Sequence, residues 1–585
     1  MADPIRIANC SGFFGDRLSA AREMVEGGPI DVLTGDWLAE LTMLILARTR
    51  LKHPNRGYAR TFVMQMEQVM GTCLEKGIKV VSNAGGLDPD GCGDAVAEVA
   101  SKLGLSPKIA YVRGDDLLPR MNELIAADQL IHFETSEPIK DASAFLTANA
   151  YLGCWGIVEA LNQGADIVIT GRVTDAAVVC GPAAWHHGWT RTDWDALAGG
   201  VVAGHVIECS TQATGGNYSF FQEVPGMERV GFPWAEIAGD GSCIIGKHEG
   251  TGGAVSIGTV TSQLLYEIGA PEYLGPDVTT RFDTIQLTQE GPDRVRIHGT
   301  KGQPPPATLK VCINRPGGFR NDMSICLTGL DIEEKARLVE EGFWAACPFS
   351  PKDFAYVSTR LVRTDLPDPE TNEQAAAILK ISVKDPDEKK VGRAFSNAVI
   401  ELALANIPGF FGVGGGPGSG RPFGVMEPAQ VPAEIVPQEV VVLGSEPREV
   451  SSVIPDAEVK VTPLPGPSAA LAGGPTKRLP LGTLFGARSG DKGGNANLGI
   501  FARSDDAWAW LDQFLTADKL KELLPEAADL EVDRYRLPAI RSLNFVLHGL
   551  LQEGVASSTR QDPQAKSLGE WLRARVVDLP EALLP

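Results

Sequence analysis

Eight residues, Gly246-Lys247-His248-Glu249-Gly250-Thr251-Gly252-Gly253, set a cation, an imidazole and a carboxylate side by side ahead of a glycine loop. Lys247 can hold an anion. Glu249 can act as a general base if a crevice desolvates it and raises its pKa. Gly252 and Gly253 would let backbone amides approach a ligand. The spacing from Gly241 to Lys247 nearly spells a phosphate loop. However, His248 stands where Ser or Thr must hold magnesium, and Cys243-Ile244-Ile245 reads as strand. An anionic or acyl substrate therefore fits better than a nucleotide; the plain alternative is a solvated surface loop.

Three more clusters carry chemistry. Thr170-Gly171-Arg172-Val173-Thr174-Asp175 offers Arg172 to grip a carboxylate or carbonyl oxygen. Asp175 is either an acid/base or a helix cap. Asn83-Ala84-Gly85-Gly86-Leu87 supplies Gly85 and Gly86 as a close-approach loop. Arg488-Ser489-Gly490-Asp491-Lys492-Gly493-Gly494-Asn495 is a strand-to-strand turn whose Arg488, Lys492 and Asn495 can ring an anion; an exposed hairpin is the rival reading. Other candidates are weaker. Cys92 lies near a helix start but among three aspartates that oppose a thiolate. His186-His187 lacks a carboxylate at metal-ligand spacing. The polar run from Glu208 to Asn217 reads as a pocket wall. No Gly-x-Ser-x-Gly elbow is present.

These residues need elements to position them. Short apolar runs at Ile5–Ala8, Ile30–Thr34, Ile78–Ser82, Lys108–Val112 and Ala165–Ile169 alternate with helical stretches. Such runs suit strands buried on both faces. The expected fold is α/β, a mostly parallel sheet with flanking helices, whose loops share one edge and one crevice. A helix is expected over 259–268 and a long one over 391–407. The Gly-rich stretch 412–420 follows that helix and reads as a loop, not a dinucleotide fingerprint. Residues 1–460 form this region, with a candidate α+β subdomain at 270–460. Residues 463–479 read as a Pro/Gly linker, and 480–585 as an α+β unit of ferredoxin-like size with helices over 507–524 and 567–577.

The chain has 585 residues, 43% hydrophobic and 22% charged, as in globular proteins. Its net charge of −21 argues against nucleic acid or an anionic membrane as partner. No signal peptide or membrane span is expected. Ten scattered cysteines form no Cys-x-x-Cys pair, so reduced thiols in a cytoplasm are expected, with no disulfide framework and no metal.

Asn9-Cys10-Ser11-Gly12-Phe13-Phe14-Gly15-Asp16, Asn83 to Leu87, Thr170 to Asp175, Glu249 to Gly253 and Ser489 to Gly493, in that order, resemble the acyclic terpene utilisation protein A family. That family was formerly a domain of unknown function. The resemblance spans nearly the whole chain. It implies a role in catabolism of branched acyclic terpenoids or related acids through coenzyme A thioesters, and it brings no agreed catalytic residues. The expected activity is acid–base hydratase or lyase chemistry on an acyl-CoA or carboxylic acid. Coenzyme A would be part of the substrate, with no tightly bound cofactor. The alternatives are a non-catalytic scaffold partner of an acyl-CoA enzyme and a CoA-ester hydrolase. A homo-oligomer is compatible with the sequence.

Overall fold

A computed structural model describes residues 2–584 except 415–417, 453, 456 and 467–472. The centre of the expected linker and part of the 412–420 stretch therefore lie outside the described residues. The chain forms two compact units. One comprises Met1–Asn314, Met426–Val555 and Gln564–Pro585; the other comprises Arg315–Val425 and Ala556–Pro563.

The first unit is built on an 11-stranded sheet. Five neighbouring strands run parallel, in the order Ile5–Asn9, Val32–Gly35, Lys79–Ser82, Ile167–Thr170, Ile109–Arg113. Antiparallel strands extend both flanks. On one side lie Pro233–Ile237, Cys243–Lys247, Arg294–His298 and Gln286–Gly291; on the other lie Gln438–Val442 and Arg448–Val450. The sheet is thus mixed, which corrects the mostly parallel expectation. An apolar run records burial on both faces but not direction. Cys243–Lys247 is as buried as the parallel strands, yet it follows Pro233–Ile237 through a tight turn in which Ala238 N–H donates to the Ser242 carbonyl at 2.8 Å.

Apolar residues cover both faces. Helices such as Arg60–Lys76 and Pro89–Leu103 bury one side, with Phe62, Met66, Val96 and Trp37. The largely apolar helices Ala177–His187 and Trp194–Ile207 fill the other, with polar residues such as Asp195, His186 and His187 near their ends. The C-terminal α+β unit is a four-stranded antiparallel sheet, ordered Phe485–Lys492, Asn495–Ala502, Ser542–Leu547, Val532–Leu537. The helix expected over 507–524 is two, Asp505–Phe514 and Ala517–Leu523, because Thr516 caps a fresh start by accepting from Lys519 N–H. Among the described residues, no helix is long and apolar enough to cross a membrane.

In the second unit, Tyr356–Val362 and 319–328 flank Ala376–Asp385 antiparallel. One face of this sheet packs Met323, Ile325, Ile381 and Val383 against the helix Ile332–Ala346. The long helix expected over 391–407 is instead three short ones, Glu388–Val391, Arg393–Ser396 and Ala398–Glu401. The first break is at Gly392, whose ψ of −140° leaves helical geometry, and the second is at Asn397.

Candidate functional site at the strand ends

The loops that follow the parallel strands meet at one edge and carry polar side chains inward. At the end of the first strand, Asn9 donates its side-chain amide to the carbonyls of Ile207 and Glu208. After the second, Asp36 accepts from the Asn83 amide, itself at the end of the third strand. After Ile167–Thr170 comes Arg172, whose side chain is 2% exposed. Its backbone N–H donates to Asp115 Oδ2 at 2.9 Å, and Asn149 Nδ2 donates to the same oxygen at 2.8 Å. Burial pushes the Asp115 carboxyl up to about 7.

The Arg172 guanidinium is the hub. Nη1 donates to the Leu38 carbonyl at 3.1 Å, and Nη2 donates to Asp175 Oδ1 at 2.8 Å. The group lies 4.1 Å over the Tyr151 ring, and Lys310 Nζ lies 4.7 Å from the same ring. Pairing of Val311–Asn314 with Thr147–Ala150 brings Lys310 alongside Tyr151. Glu40 completes the group, accepting from Tyr151 Oη at 2.7 Å and Lys310 Nζ at 3.2 Å. Burial alone would raise the Glu40 carboxyl, but Lys310, Arg172 and the tyrosine hydroxyl outweigh it and hold it well below the usual range. Arg172 Nε is buried without a hydrogen-bond partner among the described residues.

The neighbouring carboxyls shift the other way. Burial raises Asp36, Asp175 and Glu208. Asp175 adds to the rise at Asp36 and Glu208, while Arg172 opposes it at all three. Glu208 Oε1 stands 3.4 Å from His205 Nδ1. Burial lowers His205 to about 4, so this is a neutral pair and not an ion pair.

Glu267 was not singled out from the sequence, because Thr259 to Ile268 reads as one helix. The helix is Ile257–Leu264, started by a Ser256 capping box. The chain then turns at Glu267 in the left-handed region, φ 57°, rare for a non-glycine residue and frequent at functional sites. The C-terminal unit holds this turn. Asn497 Oδ1 accepts from Glu267 N–H at 2.8 Å, and Lys492 Nζ donates to the Glu267 carbonyl at 3.3 Å. Asn544 Nδ2 donates to the Gly269 carbonyl at 2.7 Å. Burial, then the Asp491 charge, lifts the Glu267 carboxyl to about 7. Replacing Asn497 with Ala should leave the strained turn without its acceptor. Stability should fall by about 1–3 kcal/mol, and any activity should fall with it. Urea unfolding and turnover check this; unchanged values for both would show that the turn holds itself.

The turn 488–495 thus faces the strand-end crevice. Arg488 is 5% exposed, stacks 4.3 Å over the Tyr266 ring and donates to Gln212 Oε1. Gly490 is required there: a Cβ would stand 2.4 Å from the Tyr266 ring. Lys492 ends its strand, and Gly493, φ 64°, makes the reversal. Asn495 bonds Glu134 and Gly549 at the hairpin tip.

Other expected residues sit elsewhere. Lys247 is buried, donates to the Thr251 carbonyl at 2.8 Å and pairs with Asp293 at 3.1 Å. Glu249 is exposed. Their strand shares the edge with Arg172 but lies five strand positions from it, about 24 Å at ordinary spacing. The glycines pack protein on protein: a Cβ on Gly85 would stand 2.5 Å from the Thr170 carbonyl, and one on Gly86 2.5 Å from Leu46. On Gly252 it would meet the Gly226 carbonyl at 2.3 Å, and on Gly253 that of Thr214 at 2.5 Å. Cys92 is buried and its thiol is pushed well up by that burial. His186 and His187 close a helix end, bonding the carbonyls of Asp3 and Ile237.

A cavity of about 650 Å³, lined by Asp193, Asp195, Asp240 and Lys301 among others, opens at the start of the helix Trp194–Ile207. Glu208 follows the far end of that 14-residue helix, about 21 Å away. Lys301 and Asp195 pair there at 2.6 Å. The shifted carboxyls and the buried guanidinium lie at the strand ends, and the candidate site is placed with them.

No curated protein matches this sequence. The family described as "Acyclic terpene utilisation family protein AtuA" matches residues 5–442, and the "AtuA ferredoxin-like domain" matches residues 479–578. The strand-end crevice and the hairpin that faces it are therefore parts of two matched segments, and the chain belongs to the acyclic terpene utilisation protein A family.

Proposed function

We propose that this protein is an enzyme of acyclic terpene utilisation that moves a proton at the carbon next to a carbonyl, in a hydratase or lyase reaction on an acyl-CoA. One observation carries the reading: a buried Arg172 is paired with Asp175 at 2.8 Å, and burial raises the Asp175 and Glu267 carboxyls, Glu267 to about 7. A carboxyl poised near neutrality serves as base and then as acid. Glu267 takes that role, with Asp175 as its partner. Arg172, through the Nε–H that has no acceptor among the described residues, holds the carbonyl oxygen where negative charge develops. Hydrolysis through a cysteine is disfavoured: Cys209 and Cys312, both beside the cluster, have their thiols pushed well above the usual value by burial.

The test is proton exchange. The protein is incubated in D₂O with a branched unsaturated acyl-CoA, and the recovered thioester is weighed by mass spectrometry. One or more deuteriums at the carbon next to the carbonyl are expected. Binding without deuterium uptake or product would replace the enzyme with a carrier.

A further inference from the structure

Two cations of the cluster share one aromatic ring. The Arg172 guanidinium lies 4.1 Å from the centre of the Tyr151 ring, and Lys310 Nζ lies 4.7 Å from it. Tyr151 is 7% exposed, and backbone bonds fix it between the segments that carry the two cations. Tyr151 N–H donates to the Lys310 carbonyl at 2.9 Å, Leu152 N–H donates to the Arg172 carbonyl at 3.2 Å, and Thr174 N–H donates to the Leu152 carbonyl at 2.9 Å. The Tyr151 hydroxyl and Lys310 Nζ both donate to Glu40 Oε1. Each cation thus has a carboxylate, Asp175 at 2.8 Å for Arg172 and Glu40 at 3.2 Å for Lys310. The guanidinium is planar. Its Nη1 and Nη2 corners are held by the Leu38 carbonyl and by Asp175. Two held corners leave one motion: the plane can rock about the line that joins them, and Nε–H swings with it. The negative face of the Tyr151 ring attracts the cation and opposes that swing. It attracts Lys310 as well, whose charge would otherwise push Arg172 away.

We propose that Tyr151 is a positioning residue: the face of its ring aims Arg172 Nε–H at the substrate carbonyl oxygen. Its hydroxyl serves Glu40 and is not needed for that aim. This rests on Arg172 holding the carbonyl oxygen, as proposed above.

A graded series in the full chain tests this: Tyr151→Phe, then the same phenylalanine carrying one, two and three ring fluorines. Fluorine hardly changes the shape of the ring but drains negative charge from its face step by step, which weakens a cation–π contact. The rate of deuterium uptake from D₂O by 3-methylbut-2-enoyl-CoA is measured for each, with kcat and KM separated. Urea unfolding of each variant ensures that folded proteins are compared. Tyr151→Phe should keep most of the wild-type rate. With added fluorine kcat should fall, by about two- to thirtyfold across the series, the span of a cation–π contact. KM should stay level, since the carbonyl oxygen gains its charge only in the transition state. A kcat that stays level across the series, or a loss already complete in Tyr151→Phe, overturns the positioning role and leaves the enzymatic reading standing. Failure of that reading looks different: wild type itself takes up no deuterium, and the role of Tyr151 falls with it.

Discussion

Glu267→Gln should lower turnover by about a hundred- to ten-thousandfold, the range that general acid–base catalysis contributes. The amide keeps the shape and the left-handed turn but cannot accept the proton. Substrate affinity should change little, since the lost interaction belongs to the transition state. Stability should shift by less than about 1 kcal/mol, because Asn497 and Lys492 grip the backbone of Glu267 and not its carboxyl. The wild-type rate should rise as pH climbs through about 7, where Glu267 ionises. In Glu267→Gln the acid limb should disappear from the residual rate. Stopped-assay kinetics across pH 5–10 check this. Near-wild-type turnover in the variant would move the base to Asp175.

Arg172→Met should cost about 3–5 kcal/mol of stability, the penalty for leaving buried charge unpaired. The loss should depend on pH in a stated direction. Asp36, Asp175 and Glu208 have folded pKa values above their unfolded ones, so each binds protons on folding. Their contribution is complete below about pH 4, the unfolded value, and is lost as pH rises through the folded value. Arg172 opposes that rise at all three groups. Without it the folded values climb further, and the penalty grows toward neutrality. Urea melts should therefore show the smallest deficit near about pH 5 and the largest near about pH 8. A deficit equal at both would mean that Arg172 serves packing, through Leu38 and Tyr151, and not charge.

Arg172, Asp175 and Lys492 were legible in the sequence because each sits in a glycine-flanked polar run after an apolar one, and such runs end strands. The structure pairs Arg172 with Asp175, and sets Lys492 on the Glu267 carbonyl and Arg488 on the neighbouring Tyr266 ring. Lys247 and Glu249 stand in an equally rich run, but composition cannot say whether a lysine reaches a crevice or the next turn; Lys247 reaches Thr251 and Asp293. Glu208 opens the polar run that reads as a pocket wall, but Glu40 and Lys310 left almost no signal. Glu40 looks like a charge interrupting an apolar helix, and Lys310 like the polar phase of a strand.

By itself the sequence determined the family, the alternation of strands and helices in the first half, and the polar loops at strand ends. Those are local properties: periodicity, glycine content and the chemistry of short runs. Only the tertiary structure decided strand direction on the flanks, the break after Leu264 that sets Glu267 in a left-handed turn, and the hold of the C-terminal hairpin on that turn. These depend on which segments pair across hundreds of residues. A pKa near neutrality follows from that pairing too, since it is set by the charges and the burial that other segments bring to the side chain.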